Sequence, residues 1–357
     1  MKKSLIALAV LAASGAAMAQ SSVTLYGVAD AGVTYLNGAD NWSGVTSGNN
    51  LTSRLGFRGV EDLGGGLKAN FVIEGGFNLD NGDGASGYAG AKAGEGFQFK
   101  RRSTVGLSGG FGEVRMGREL TAAYNATARY DVFGSVGIGQ SRLWADGGVV
   151  DASANATAVT TNQRISNALT YVSPSFSGFK VGLNYGFGET TNGNSDSSYM
   201  GAGLMYDNGP LSLGLGLERL NNGANSVAVS DIDAWSLGGS YDFGVAKLLA
   251  GYRESKVDRA TGENKRLGYY VAATAPVGAG TVRVSYNRYE NELANVKGKA
   301  DQFAIGYVYG LSKRTSVYGT YAYLKNKDGA NLYTLGSGGL KTNGSQQGVQ
   351  VGVSHSF

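Results

Sequence analysis

The strongest constraint in this sequence is a period of two. Across residues 23–35 the odd positions are Val23, Leu25, Gly27, Ala29, Ala31, Val33 and Tyr35, while the even ones include Thr24, Asp30 and Thr34. Val282, Val284 and Tyr286 alternate with Thr281, Arg283, Ser285 and Asn287, and Val349, Val351 and Val353 alternate with Gln350, Gly352 and Ser354. A strand sends successive side chains to opposite faces, so each run has one apolar and one polar face. No segment after the N-terminal leader reaches the ~18 uninterrupted apolar residues of a membrane-spanning helix.

Turn signals recur between the runs. Seven are short: 62–66, 108–112, 173–178, 207–210, 242–245, 276–280 and 310–313, each carrying Gly, Pro, Asn, Asp or Ser. Eight longer polar stretches alternate with them: 37–52, 80–96, 119–162, 188–198, 221–231, 256–265, 291–300 and 326–345. Fifteen connections join sixteen strands. Short turns at one end and long loops at the other are the pattern of an outer-membrane barrel. The expected fold is therefore all-β, a 16-stranded antiparallel transmembrane β-barrel with short periplasmic turns and long extracellular loops. Closure is obligatory, because an unpaired backbone group in hydrocarbon costs several kcal/mol. A barrel this wide leaves an aqueous channel that side chains cannot fill. Rings near strand ends, among them Tyr35, Phe97, Phe99, Tyr171, Phe179, Tyr185 and Tyr309, suit the bilayer interface. The competing fold, a soluble β-sandwich or solenoid, needs about half as many alternating strands.

Lys2 and Lys3, the apolar run at 5–13 and Ala17-Met18-Ala19 read as a secretory signal cleaved after Ala19. Residues 20–357 then form one barrel domain. The chain has 59 Gly in 357 residues, no Cys, a single His and a net charge of +4. These figures exclude disulfides, thiolate chemistry and multi-histidine metal sites, and the scattered charge is no nucleic-acid footprint. No cofactor or metal is expected.

The loop at 119–162 is the longest, and its Tyr124, Tyr130, Phe133, Ile138, Leu143 and Trp144 carry enough apolar bulk to pack. In a wide barrel the place to pack is inward, where the loop narrows the lumen. Strand parity then assigns charges. With Leu55 and Phe57 facing lipid, Arg54 and Arg58 face inward; with Phe71 and Ile73 outward, Glu74 faces inward. Arg115 follows from Val114 and Met116, and Arg164 is placed inward on the face of Ser166 and Thr170. In Lys100-Arg101-Arg102, parity from Val105 and Leu107 favours Lys100 and Arg102, whereas a bulge after Phe99 selects Arg101. More arginines than acids at the narrow level favour passage of anions, since rings of side-chain charge bias which ions pass.

Other functions find little support. His355 lies at an outward parity on the last strand with no Ser-Asp constellation around it, so a triad enzyme is disfavoured. Residues 80–84 lack the full 12-residue Ca²⁺ pattern. Glu61-Asp62 reads as turn chemistry, and no phosphate-loop motif occurs. A solute-specific channel and a barrel acting as adhesin or phage receptor are the remaining alternatives.

Several segments resemble the general trimeric porins of β-proteobacteria, of the Neisseria, Bordetella and Burkholderia type. They are Ser22-Val23-Thr24-Leu25-Tyr26-Gly27, the stretch at 53–69 (SRLGFRGVEDLGGGLKA), Lys100-Arg101-Arg102-Ser103-Thr104-Val105-Gly106-Leu107, the stretch at 111–118 (FGEVRMGR), the stretch at 171–179 (YVSPSFSGF) and Leu311-Ser312-Lys313-Arg314-Thr315. The resemblance implies a homotrimer passing ions and small hydrophilic solutes by passive diffusion. It implies that the third extracellular loop, here 119–162, folds inward. It carries a basic eyelet onto Arg54, Arg101 and Arg164, with Arg102 kept beside Arg101, and acidic counterparts onto Glu74 and Asp131. Phe357, the terminal phenylalanine, matches the barrel-assembly signal. The implied partners are other copies of the chain, outer-membrane lipids and lipopolysaccharide, and the barrel-assembly machinery.

Overall fold

The computed structural model describes residues 22–84, 96–145, 163–188, 198–221, 231–258, 262–293, 296–330, 333–337, 339 and 341–357. The expected export signal at 1–19 lies outside the described residues. The strands are β1 (Ser22–Asn37), β2 (Asn41–Ser47), β3 (Arg54–Gly64), β4 (Leu67–Gly76), β5 (Arg102–Gly109), β6 (Gly112–Leu120), β7 (Arg164–Val172), β8 (Phe179–Gly186) and β9 (Ser198–Asn208). They continue as β10 (Leu211–Asn221), β11 (Asp231–Asp242), β12 (Lys247–Val257), β13 (Asn264–Val277), β14 (Gly280–Leu293), β15 (Val296–Gly310), β16 (Thr315–Lys327) and β17 (Ser345–Ser356).

Each strand pairs antiparallel with its neighbours, and β17 pairs with both β16 and β1, which closes the sheet. At the seam Gly27 and Phe357 exchange two backbone hydrogen bonds, both 3.1 Å. The seventeen strands make sixteen staves. β1 pairs with β2 through residues 31–37 and with β3 through residues 22–28, so β2 and β3 are two pieces of one stave.

The stave breaks at residues 48–53, and Asp30 on β1 accounts for the break. Its fully buried carboxylate accepts the backbone N–H of Asn49 (2.7 Å), Asn50 (3.3 Å) and Leu51 (3.0 Å), and the Tyr318 hydroxyl at 2.8 Å. Amides that leave the ladder thus find an acceptor, as buried backbone donors must.

Two expected long loops are corrected here. Residues 37–52 contain β2, and residues 291–300 are crossed by β14 and β15, which run on to Leu293 and resume at Val296. All seven short turns fall where the turn residues place them, joining consecutive staves at one end.

The alternation has its physical meaning in exposure. Val33 is 61 % exposed while the adjacent Thr34 is 2 % exposed, so the apolar face is the outer one. Soluble proteins rarely leave so large an apolar surface bare; a bilayer covers it. Aromatic pairs band both ends: Phe179 with Tyr206 and Tyr241 with Phe243 near the short turns, Trp235 with Tyr252 and Tyr185 with Phe187 near the long loops.

Between β6 and β7 the chain enters the barrel. Thr121 caps helix α1 (Ala122–Thr127) by accepting the Tyr124 N–H at 3.2 Å. A 3₁₀ turn (Ala128–Tyr130) and helix α2 (Arg142–Ala145) follow. This segment lies along inward-facing glycines. A Cβ at Gly203 or Gly214 would collide with the α1 backbone, at Gly238 with the Tyr130 ring, at Gly251 with Trp144, and at Gly268 with Leu143. Gly214 pairs with Gly238, and Gly238 with Gly251, so the glycines form a continuous lane across adjacent staves. Tyr130, Phe133, Ile138, Leu143 and Trp144 are each at most 5 % exposed against the wall. Burial of such side chains contributes about 1.5–3 kcal/mol each, ample to hold the segment down.

Candidate functional site: the charged eyelet

The ladder brings the eyelet residues together. Arg54 opens β3 after the stave break, and β3 pairs with β4 so that Gly56 faces Glu74. β4 in turn sets Glu74 opposite Arg102. The bare Gly56 leaves room for the Tyr26 ring, whose hydroxyl donates to Glu74 Oε2 at 3.0 Å. Arg101 Nε donates to Glu74 Oε1 at 2.7 Å, and Arg54 Nε stands 3.8 Å from Oε2. Arg164 Nε donates to the Arg101 carbonyl at 2.9 Å. Arg54, Arg101, Arg164 and Glu74 therefore form one cluster.

Both candidates in the Arg101–Arg102 pair turn inward, for different reasons. Arg102 begins β5 on the face of the buried Thr104. Arg101 precedes the strand and is free of its parity; its N–H donates to the Glu74 carbonyl at 3.1 Å while its side chain folds onto the Glu74 carboxylate. Arg58 stacks over the Tyr26 ring, 5.3 Å from its centre.

Arg115 reaches the same wall but is committed to two carboxylates. Its Nη2 lies 2.8 Å from Glu119 Oε2, and its Nη1 donates to Glu113 at 2.6 Å. Arg102 adds a looser contact to Glu119 at 3.7 Å. This second group has two arginines and two glutamates, hence no net charge. The first has three arginines and one glutamate, hence a net charge of +2. The unbalanced charge thus resides on Arg54, Arg101 and Arg164.

Strand parity predicts Arg164, Ser166 and Thr170 on one face, and the structure breaks that set. A register shift between β6 and β7, with Asn167 at φ 53°, turns Ser166 away from Thr170. Ser166 is exposed and accepts from Arg118 Nη1 at 2.8 Å, while Thr170 is buried. Arg164 reaches the eyelet through its bond to Arg101.

Asp131 takes a different position from the wall carboxylates. It accepts the N–H groups of Phe133 (2.9 Å), Ser135 (3.0 Å) and Ser141 (2.9 Å), knotting the inserted segment on itself. Burial pushes its carboxyl up to about 6, against the downward pull of those three donors. Arg283 was not singled out from sequence, although its parity between Val282 and Val284 makes it inward. It donates to the Val132 carbonyl at 3.1 Å and to Asn50 Oδ1 at 2.9 Å, bridging the inserted segment to the broken stave.

His355 meets Thr315 Oγ1 at 2.9 Å on the outer surface. Among the described residues no three His, Cys, Asp or Glu side chains converge as a metal site.

Comparison with known proteins agrees with this architecture. A family profile described as Gram-negative porin matches residues 5–329. The chain is 45 % identical over 372 aligned residues to outer membrane porin protein 32 of Delftia acidovorans, covering all of both chains. It is 30 % identical to major outer membrane protein P.IB of Neisseria gonorrhoeae, covering 93 % of this chain and 96 % of that one. The solved anion-selective porin from Comamonas acidovorans superposes with a TM-score of 0.81 at 41 % identity, covering 95 % of this chain and all of that one. A closed sixteen-stave barrel, a segment laid across its lumen and full-length likeness to these proteins together place the chain in the Gram-negative porin family.

Proposed function

We propose that the protein is an outer-membrane diffusion channel in which Arg54, Arg101 and Arg164 make the narrowest passage favour anions. The observation that carries this reading is the charge imbalance: among the described residues three guanidinium groups cluster at one carboxylate, Glu74, which Arg54 and Arg101 contact while Arg164 is tied to the Arg101 carbonyl. Arginine stays charged at any working pH, so the preference is permanent. The similar Comamonas protein is itself described as anion-selective. The inserted segment, over its described residues 119–145, narrows the lumen from the opposite wall, with Asp131 and Arg283 holding its shape; the rest of the expected loop, 146–162, lies outside the described residues. Arg102 and Arg115 shape the passage without adding net charge, each facing a glutamate. The channel performs no catalysis. Residues 1–19 act as the export signal, and Phe357 serves as the mark read by the barrel-assembly machinery. The working unit is a homotrimer, surrounded by lipopolysaccharide.

Single-channel recording of refolded protein under a KCl gradient tests the reading. The wild type is expected to give a reversal potential of the sign for chloride permeation, and the Arg54→Gln/Arg164→Gln variant one displaced toward potassium. Identical reversal potentials in the two would refute the assignment.

A further inference from the structure

The short turns are unusual in what they expose. Six of the seven carry a large apolar side chain at or beside the tip: Leu63, Phe111, Phe176, Phe243 with Val245, Val277 and Leu311, each between 47 % and 79 % exposed. The seventh, Asp207-Asn208-Gly209-Pro210, carries none. Turn geometry calls for Gly, Pro, Asn, Asp or Ser and has no use for a bare phenylalanine.

These side chains extend the outward rows of the strands. Phe243 follows Trp235, Leu237 and Tyr241 in the same parity, Val277 follows Tyr269 and Val271, and Leu311 follows Phe303, Ile305 and Tyr309. The Tyr241 and Phe243 rings lie 4.7 Å apart. Phe176 exchanges two backbone hydrogen bonds of 2.8 Å with Phe179. Directly opposed residues share a face, here the one on which the Phe179 and Tyr206 rings meet at 4.5 Å. Gly109 shares the outer face of Val105 and Leu107, and a Cβ there would stand 3.0 Å from the Phe111 ring. Around the ring, the tips continue the face that lipid covers.

Height decides what the tips meet. At the long-loop end the rows stop at charge: Asp233 precedes Trp235 in its row, Lys265 precedes Leu267 and Asp301 precedes Phe303. At ~3.3 Å per residue and a tilt of ~40°, Trp235–Tyr241 or Phe303–Tyr309 spans only ~15 Å of membrane height, against an apolar band of ~25 Å. Including Phe243 or Leu311 brings each row to ~20 Å, and Leu267–Val277 reaches ~25 Å. The missing height lies on the turn side. We propose that these six turns are a docking surface for the phospholipid leaflet on the periplasmic side, with their apolar tips seated at the boundary between headgroups and acyl chains. A soluble partner or a second copy would meet one sector of the rim, whereas a leaflet surrounds the barrel, as the tips do. The inference rests on lipid covering the outer face and is independent of the anion preference.

The chain has no cysteine, so a nitroxide on a single introduced one reports a single position. Phe176→Cys, Phe243→Cys and Leu311→Cys are labelled and refolded into phosphatidylethanolamine–phosphatidylglycerol vesicles. Ile305→Cys, mid-row, gives the lipid reference, and Ser337→Cys, exposed on a long loop, the aqueous one. Broadening of the nitroxide spectrum by oxygen, which concentrates in lipid, is compared with broadening by a water-soluble nickel chelate. The ratio at 176, 243 and 311 is expected to exceed that at 337 several-fold and to approach that at 305. Ratios equal to that at 337 overturn the proposal, because the tips then stand in water. Dipolar broadening between labels overturns it in favour of contact between copies. A ratio at 305 as low as that at 337 removes the lipid-covered outer face itself. Refolding yield across vesicles of increasing acyl-chain length is the second measure. Phe176→Ser/Phe243→Ser/Leu311→Ser shortens its rows by one outward position, so its optimum should move to a bilayer thinner by up to about 5 Å. An optimum unchanged from wild type overturns the anchoring role of the turns.

Discussion

Glu74 shows how much one side chain decides. Among the described residues it is the single acid touching Arg54 and Arg101, and it takes the Tyr26 hydroxyl as well. Glu74→Gln raises the cluster from +2 to +3, so the reversal potential should move further toward that of chloride, opposite to the arginine variants. A displacement toward potassium would contradict the charge count. Asp30 is the structural counterpart. Asp30→Ala strands three backbone N–H groups and the Tyr318 hydroxyl, whereas Tyr318→Phe removes one donor. Leaving a buried partner unsatisfied costs about 1–3 kcal/mol. Thermal unfolding in detergent should therefore rank wild type above Tyr318→Phe and Tyr318→Phe above Asp30→Ala. Equal midpoints would show that the stave break does not depend on this carboxylate. Both residues were visible as inward by parity alone. The partners of Asp30 were not, because Asn49, Asn50 and Leu51 lie in a stretch, 37–52, that reads as one long loop.

Among the elements, the inserted segment depends on what the wall lacks. Gly238→Val would push a side chain into the Tyr130 ring and lift the segment off the lane. The expected result is a lower single-channel conductance with unchanged barrel content by circular dichroism. Shortening the segment should have the reverse effect, a larger conductance. A Gly238→Val channel as wide as wild type would mean that the segment does not set the aperture. The sequence was legible where hydrocarbon imposes a rule. Between the turns, one face of every strand meets lipid, so Leu55, Phe57, Phe71 and Ile73 announced the faces of Arg54 and Glu74. Beyond the bilayer neither face must be apolar. Asn41–Ser47 and the polar ends of β14 and β15 therefore read as loops although they are strands. Parity also fails where the ladder slips: Asn167 with its positive φ turned Ser166 over, and Arg101 escaped the rule by standing just outside β5. The glycine lane was present only as an unexplained excess of glycine, since its meaning depends on which staves become neighbours.

At the level of the whole molecule the seam is the critical joint. Phe357 completes the ladder to Gly27, and its ring covers the space that a Cβ at Gly27 would occupy. Removing Phe357 deletes two backbone hydrogen bonds from the closing edge. The yield of heat-resistant barrel on refolding into lipid should fall relative to Phe357→Tyr, which keeps both bonds and the ring. Equal yields would place the last residue outside the assembly step. Because the first and last staves are joined by an antiparallel ladder like the other pairs, the ring has no privileged starting point. A chain spliced across the seam and reopened at Gly65 or Gly209 would thread the same cylinder from a new origin, so the order of synthesis and the order around the wall are separable properties of this architecture.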